Sequence, residues 1–182
     1  MPFDQDVQAN RDALMPDLLA DFGDAWGGKW ATFTILPIIY ETDAHRGIPH
    51  WERAQRLRFA ATSLSMVGLT TYLMKAAVGR ERPNEKDNLS FPSGHTSISF
   101  GVAEVIRTLY GNLWGIPFYG AALITGLSRI HDNKHYLSDV VAGASLGVGL
   151  VRGFRPSWQL KSGLALSWHV APPGTVTALI RF

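Results

Sequence analysis

The sequence predicts a mainly α-helical bundle with a short extended or β-hairpin tail. Three observations carry that prediction. Apolar residues recur at helical spacing, as at Ile98, Val102, Val105, Ile106 and Leu109, the i, i+4, i+7, i+8 pattern of one buried helix face. Glycines punctuate these periodic stretches, with Gly79 and Gly111 at natural C-terminal stops. The pattern then changes near the C-terminus, where Leu164–Ala171 and Thr175–Phe182 flank Pro172-Pro173-Gly174, a turn signal between two strand-like runs.

Taken in order, residues 1–22 are acidic and weakly amphipathic, with Ala13, Leu14, Leu18 and Leu19 at helical spacing. Asp21–Lys29 contains Gly23, Gly27 and Gly28 and reads as a turn-rich link. Thr32–Tyr40 is a short apolar run broken by Pro37, and a polar loop is expected around Asp43–Gly47. A long helix is expected from Trp51 to Val78, opening on charge and ending at Gly79. Glu81–Ser90 is a polar loop, after which Pro92 and Ser93 open the next helix. Further helices are expected over Ile116–Ile130, with Pro117 in the first turn, and over His135–Arg152. Gly143, Gly147 and Gly149 on the last would let neighbouring helices approach closely. The organisation expected is one helical domain over 1–160 and a tail over 161–182. The tryptophans, among them Trp26, Trp30, Trp114 and Trp168, default to core positions.

Composition narrows the function classes. A formal charge of +2 without a basic run argues against a nucleic-acid partner. Cysteine is absent, which removes disulfides, thiolate nucleophiles and sulfur-ligated metals. The N-terminal residues lack the basic start and apolar stretch of a secretory leader. Mean hydropathy is +0.03, and the uncharged stretches Phe59–Met74 and Val140–Val151 are shorter than the about 20 residues a span needs. Thr108–Ser128 is long enough but is interrupted by Gly111, Asn112 and Pro117. A soluble or peripheral protein is favoured over a membrane-embedded bundle.

Three clusters carry the chemistry. They are Lys75 with Arg82-Pro83, then Pro92-Ser93-Gly94-His95, then Ser128-Arg129 with His135 and Asp139. Singly, each residue has an ordinary use: Lys75 as a snorkelling side chain, Ser93 and Asp139 as helix caps, Arg129 as an ion-pair partner, and His95 or His135 as a structural histidine. Those uses do not account for the joint spacing. The arrangement resembles the signature shared by PAP2-type lipid phosphatases, bacterial non-specific acid phosphatases and vanadium-dependent haloperoxidases, over about Lys75 to Gly149, and all eleven positions match.

The resemblance implies a bundle with the clusters converging at one end. It implies that Lys75, Arg82 and Arg129 hold phosphate oxygens together with Ser93 and the Gly94 amide. His135 is then the nucleophile, Asp139 its orienting partner and His95 the general acid. The residue types suit the reaction: a transferring phosphoryl group spreads charge over three oxygens, which fixed cations and N–H donors must surround. Arg offers a planar fork, Lys a point charge, and a helix start backbone donors. No metal and no other cofactor is expected, and vanadate is expected as an inhibitor.

The expected function is a phosphatase forming a phosphohistidine, with a lipid phosphate or diphosphate favoured over soluble esters. The expected place is the cell envelope, periplasmic or membrane-associated. Two alternatives stand beside it: a haloperoxidase with vanadate on His135, and a non-catalytic phosphate-ligand binding protein. A further reading takes His131, His135 and Asp139, at i, i+4 and i+8, as metal ligands stacked on one continuous helix.

Overall fold

The computed structural model describes residues 2–27, 31–154, 165–171 and 175–181. Among these are α1 (Pro2–Ala9), a 3₁₀ turn (Arg11–Ala13), α2 (Asp17–Ala25), α3 (Ala31–His45), α4 (His50–Val78), α5 (Gly94–Tyr110), α6 (Asn112–His131) and α7 (Leu137–Gly153). Strands β1 (Ala165–Ala171) and β2 (Thr175–Arg181) pair antiparallel, with Ala165 opposite Arg181 and Ala171 opposite Thr175. Leu164, Phe182, Trp30 and the Pro172-Pro173-Gly174 turn lie outside the described residues.

Helix α5 is the centre of the bundle and packs against α3, α4, α6 and α7. Its apolar stripe explains why: Val102, Val105, Ile106 and Leu109 are buried, and Ile98 packs at the edge of the same core with Leu64, Val67 and Val151. Each such side chain contributes roughly 1.5–3 kcal/mol through burial. Helix α7 comes close through glycine. A Cβ on Gly143 would stand 2.6 Å from Ser93 O, and one on Gly147 would stand 2.2 Å from Ser97 O. Gly149, expected to serve the same way, has open space around it.

The structure corrects the expectation for the first 45 residues. Asn10 and Pro16 divide the N-terminal stretch into α1 and α2. Gly23 is helical rather than part of a link, because its bare face lies on α6: a Cβ there would stand 2.7 Å from Ser128 Oγ and 2.9 Å from Ile124 O. Helix α3 runs through Pro37 to His45. The lost hydrogen bond is outweighed by a continuous buried stripe of Ala31, Ile35 and Ile39. Asp43 extends that stripe instead of opening a loop. It is fully buried and receives Arg56 Nε at 2.7 Å and Tyr110 Oη at 2.9 Å.

Smaller differences concern helix ends and tryptophans. Helix α6 begins at Asn112 with Pro117 well inside it, and α4 ends on a left-handed Gly79 at φ 58°. Helix α7 begins after Tyr136, whose backbone N–H donates to the Asp139 carboxylate in a capping box. Trp114 is exposed on the outer face of α6 rather than buried in the core, while Trp26 stacks with Phe22 and tilts against Phe118.

Candidate active site

The eleven signature positions gather where the C-terminal end of α4, the 79–93 loop, the N-terminal end of α5 and the α6–α7 connection meet. Backbone bonds make the frame. Ser93 N donates to Asp139 O at 3.0 Å, joining the second cluster to the third. His135 N and Lys134 N both donate to Arg129 O, at 3.1 and 3.0 Å, which folds the polar connection back on α6.

His135 lies in that connection, 3% exposed. Its Nε2 is 3.5 Å from Arg82 Nη1, and its Nδ1 is 3.7 Å from Asp139 Oδ2. The second separation exceeds a hydrogen bond, so Nδ1 is buried without a hydrogen-bond partner and feels Asp139 as charge. Burial lowers the basicity of the imidazole; Asp139 opposes the shift, while Lys75 and Arg82 add to it.

Asp139 is itself firmly held. Its Oδ2 accepts from Ser90 Oγ at 2.5 Å and Tyr136 N at 2.9 Å, and its Oδ1 accepts from Arg80 Nη1 at 2.8 Å. Burial raises its pKa, yet these donors hold the carboxyl below the usual range. Asp139 thus caps α7 and at the same time faces His135.

The cations approach from three sides. Lys75 Nζ donates to Leu89 O at 2.5 Å and reaches Ser90 O at 3.5 Å; burial, with Arg82 adding to it, lowers its pKa to about 8. Arg82 Nε donates to Asp87 at 2.7 Å and its Nη1 reaches Lys134 O at 3.4 Å. Arg129 is 2% exposed; its Nη2 meets Asp24 at 2.5 Å and Asp132 at 2.7 Å, and its buried Nε has no partner.

At the start of α5, Gly94 sits against Lys75, whose Cε would be 3.7 Å from an added Cβ. Ser93 is fully buried, and its Oγ accepts from Thr96 Oγ1 at 2.9 Å. His95 stands at the rim with its side chain 38% exposed, and its Nε2 is 3.7 Å from Asp24 Oδ1. Burial, reinforced by Arg129 and opposed by Asp24, lowers the His95 pKa to about 4.

His131, His135 and Asp139 do not share one helix. His131 ends α6, His135 is in the connection and Asp139 is in the first turn of α7. The one-face stack required by the metal reading is not formed, because the backbone turns back on Arg129 O.

Several contributors lie outside the signature. Arg80 links Asp139 to Ser138 Oγ at 2.7 Å and to Asp4 Oδ2 at 3.0 Å, and stacks on Tyr136 with its Cζ 4.1 Å from the ring centroid. Asp4 also receives Ser138 N and Oγ, at 3.0 and 2.7 Å, while Gln8 Nε2 donates to His135 O at 2.9 Å. Helix α1 is thereby fastened to the site. The signal for Arg80 was its place between the helix stop at Gly79 and Arg82; Asp4, Gln8 and Asp24 gave no local signal.

Comparison with known proteins agrees with the helical fold. The PAP2 superfamily profile matches residues 56–162. A lipid A 1-phosphatase from Porphyromonas gingivalis is 35% identical over 91 residues, covering 48% of this chain and 20% of that protein. Another, from Rhizobium etli, is 31% identical over 154 residues, covering 72% of this chain and 65% of the relative. The chain thus spans less than two thirds of either relative. The crystal structure of Aquifex aeolicus LpxE superposes with a TM-score of 0.67 at 19% identity, covering 82% of this chain and 93% of that one. A transmembrane PAP2-type phosphatidylglycerolphosphate phosphatase from Bacillus subtilis gives 0.65 at 20% identity, covering 84% of each chain. With the profile extending over more than half its length, and the bundle and clusters arranged as described, the chain belongs to the PAP2 superfamily.

Proposed function

We propose that this protein is a phosphatase that hydrolyses lipid phosphate monoesters or diphosphates through a phosphohistidine, without a metal ion. The observation that carries the reading is the setting of His135: buried, with Nε2 toward Arg82 and Nδ1 toward a firmly held Asp139. A neutral imidazole so placed presents one nitrogen to an anion while the other bears the proton.

In the first step Nε2 attacks phosphorus, the bond to the leaving oxygen breaks, and His95 donates that oxygen its proton. Asp139 stabilises the imidazolium that results. In the second step water attacks the phosphohistidine, His95 takes a proton from it, and the P–N bond breaks to release phosphate. Lys75, Arg82 and Arg129 neutralise the equatorial oxygens, with the Ser93 hydroxyl and the Gly94 amide as donors.

A lipid leaving group is supported by the relatives' names and by apolar side chains on outer helix faces. Leu69, Tyr72 and Leu73 are exposed on α4, and Ile116, Leu123 and Leu127 on α6. No helix among the described residues is long and apolar enough to cross a membrane; the exposed apolar faces of α4 and α6 are what support a membrane-associated place in the cell envelope. The deciding experiment is phosphate release from lipid phosphates, isoprenoid diphosphates and soluble esters, run beside His135→Ala. The variant is expected to lose turnover and phosphoenzyme labelling; normal labelling in it refutes the assignment. Vanadate is expected to inhibit the wild-type protein, and halide oxidation dependent on added vanadate would overturn the phosphatase reading.

A further inference from the structure

One carboxylate already stands among the cations assigned to phosphate. Asp24, near the end of α2, places Oδ1 at 2.5 Å from Arg129 Nη2 and 3.7 Å from His95 Nε2, and Oδ2 at 3.5 Å from Lys134 Nζ. Its placement follows from the close seating of α2. Gly23 rests on Ser128 and Ile124. At Gly27, just past the helix, an added Cβ would stand 2.2 Å from Thr125 Cγ2 and 3.2 Å from His95 Cβ. Burial raises the Asp24 pKa, but Arg129 and Lys134 hold it below the usual range, so it is an anion at neutral pH.

Arg129 Nη2 is shared by two carboxylates, Asp24 and Asp132. An incoming phosphate dianion brings a third anion to one guanidinium, and the repulsion falls on the carboxylate freest to move. Asp132 belongs to the same helix end as Arg129, is paired to Lys134 at 3.1 Å, and has a side chain 24% exposed. Asp24 comes from a separate helix and has a side chain 45% exposed, with room to swing into solvent. The unpartnered Arg129 Nε remains as a donor for the new anion.

We infer that Asp24 is an affinity-determining residue: its carboxylate stands in for phosphate on Arg129, and bound phosphate displaces it. The inference rests on the phosphatase reading of the site. In the resting protein Asp24 keeps a buried guanidinium paired, which limits the cost of leaving that charge uncompensated. The same contact opposes phosphate, substrate and product alike. Asp24 thus trades affinity for faster product release.

The test compares wild type, Asp24→Asn and Asp24→Ala by calorimetric titration with inorganic phosphate and by steady-state kinetics on one soluble ester. Removing the competing charge is expected to tighten phosphate binding by roughly three- to tenfold in both variants, with a parallel fall in KM. Unchanged or weaker phosphate binding in both variants overturns the inference and makes Asp24 a support for Arg129. A wild-type protein that binds phosphate and hydrolyses the ester upholds the underlying reading in either case. One that neither binds nor hydrolyses overturns both.

Discussion

Arg80 Nη1 lies 2.8 Å from Asp139 Oδ1, so the carboxylate facing His135 is held by a cation outside the eleven signature positions. Through Asp4 the same guanidinium ties α1 to the start of α7. Arg80→Ala is expected to lower kcat by about tenfold or more, with KM changed far less, because Asp139 loses the donor that fixes it. Stability should fall by roughly 1–3 kcal/mol, the cost of leaving a buried carboxylate one partner short. Arg80→Lys should recover stability better than kcat, since one ammonium cannot span Asp139, Ser138 and Asp4. Equal losses in kcat and in KM, tracking the melting temperature, would make Arg80 purely structural.

The pH profile should lean to the acid side. His135 must be neutral to attack, and its lowered pKa keeps it neutral below the ordinary 6.5. His95 must be protonated to act as the acid, and its protonated fraction grows as pH falls toward about 4. Lys75 adds a limit at the other end, losing its charge as pH rises through about 8. The expected kcat/KM profile therefore peaks below pH 6.5 and declines steadily above it. An optimum above pH 7 contradicts these assignments.

His95→Ala should discriminate between leaving groups. A phenolate such as p-nitrophenolate departs without a proton, whereas an alkoxide needs one, so the loss should be about tenfold greater or more for alkyl phosphates. A plot of log kcat/KM against leaving-group pKa should steepen in the variant. Parallel lines for variant and wild type would remove His95 from the acid role.

Gly143 and Gly149 lie on the same helix and should respond oppositely to alanine. A Cβ at Gly143 would press on Ser93 O at 2.6 Å, pushing α7 away from the cluster that carries Ser93, Gly94 and His95. Gly143→Ala should cost about 1–3 kcal/mol and reduce activity with it. Gly149→Ala meets open space and should be neutral or slightly stabilising, because alanine favours the helix by about 1 kcal/mol. Thermal melts of the two variants check this directly.

Helices α4 and α5 were legible because Gly79 and Gly111 stop them and because the apolar residues of α5 fall on one buried face, and so were the three clusters, whose spacing lies within short stretches of chain. Helices α2 and α3 were obscured by Gly23 and Pro37, residues that oppose helix locally and are overruled by packing on α6 and by the Ile35–Ile39–Asp43 stripe. Asp4, Gln8 and Asp24 were invisible for a different reason. Each meets the site from more than 60 residues away, and no short-range pattern encodes such a meeting. The resemblance implies a role for Asp139 beside His135, but the hold of Arg80 and Ser90 on that carboxylate is a property of the folded loop.

The bond from Ser93 N to Asp139 O involves no side chain. Two of the three clusters are thus riveted through the main chain, and truncating a reactive side chain leaves that rivet in place. A His135→Ala protein should keep its grip on an uncleaved substrate while being unable to accept the phosphoryl group. Recovered from membrane extracts, such a variant becomes a fishing tool, and mass spectrometry of what it carries would identify the natural ester.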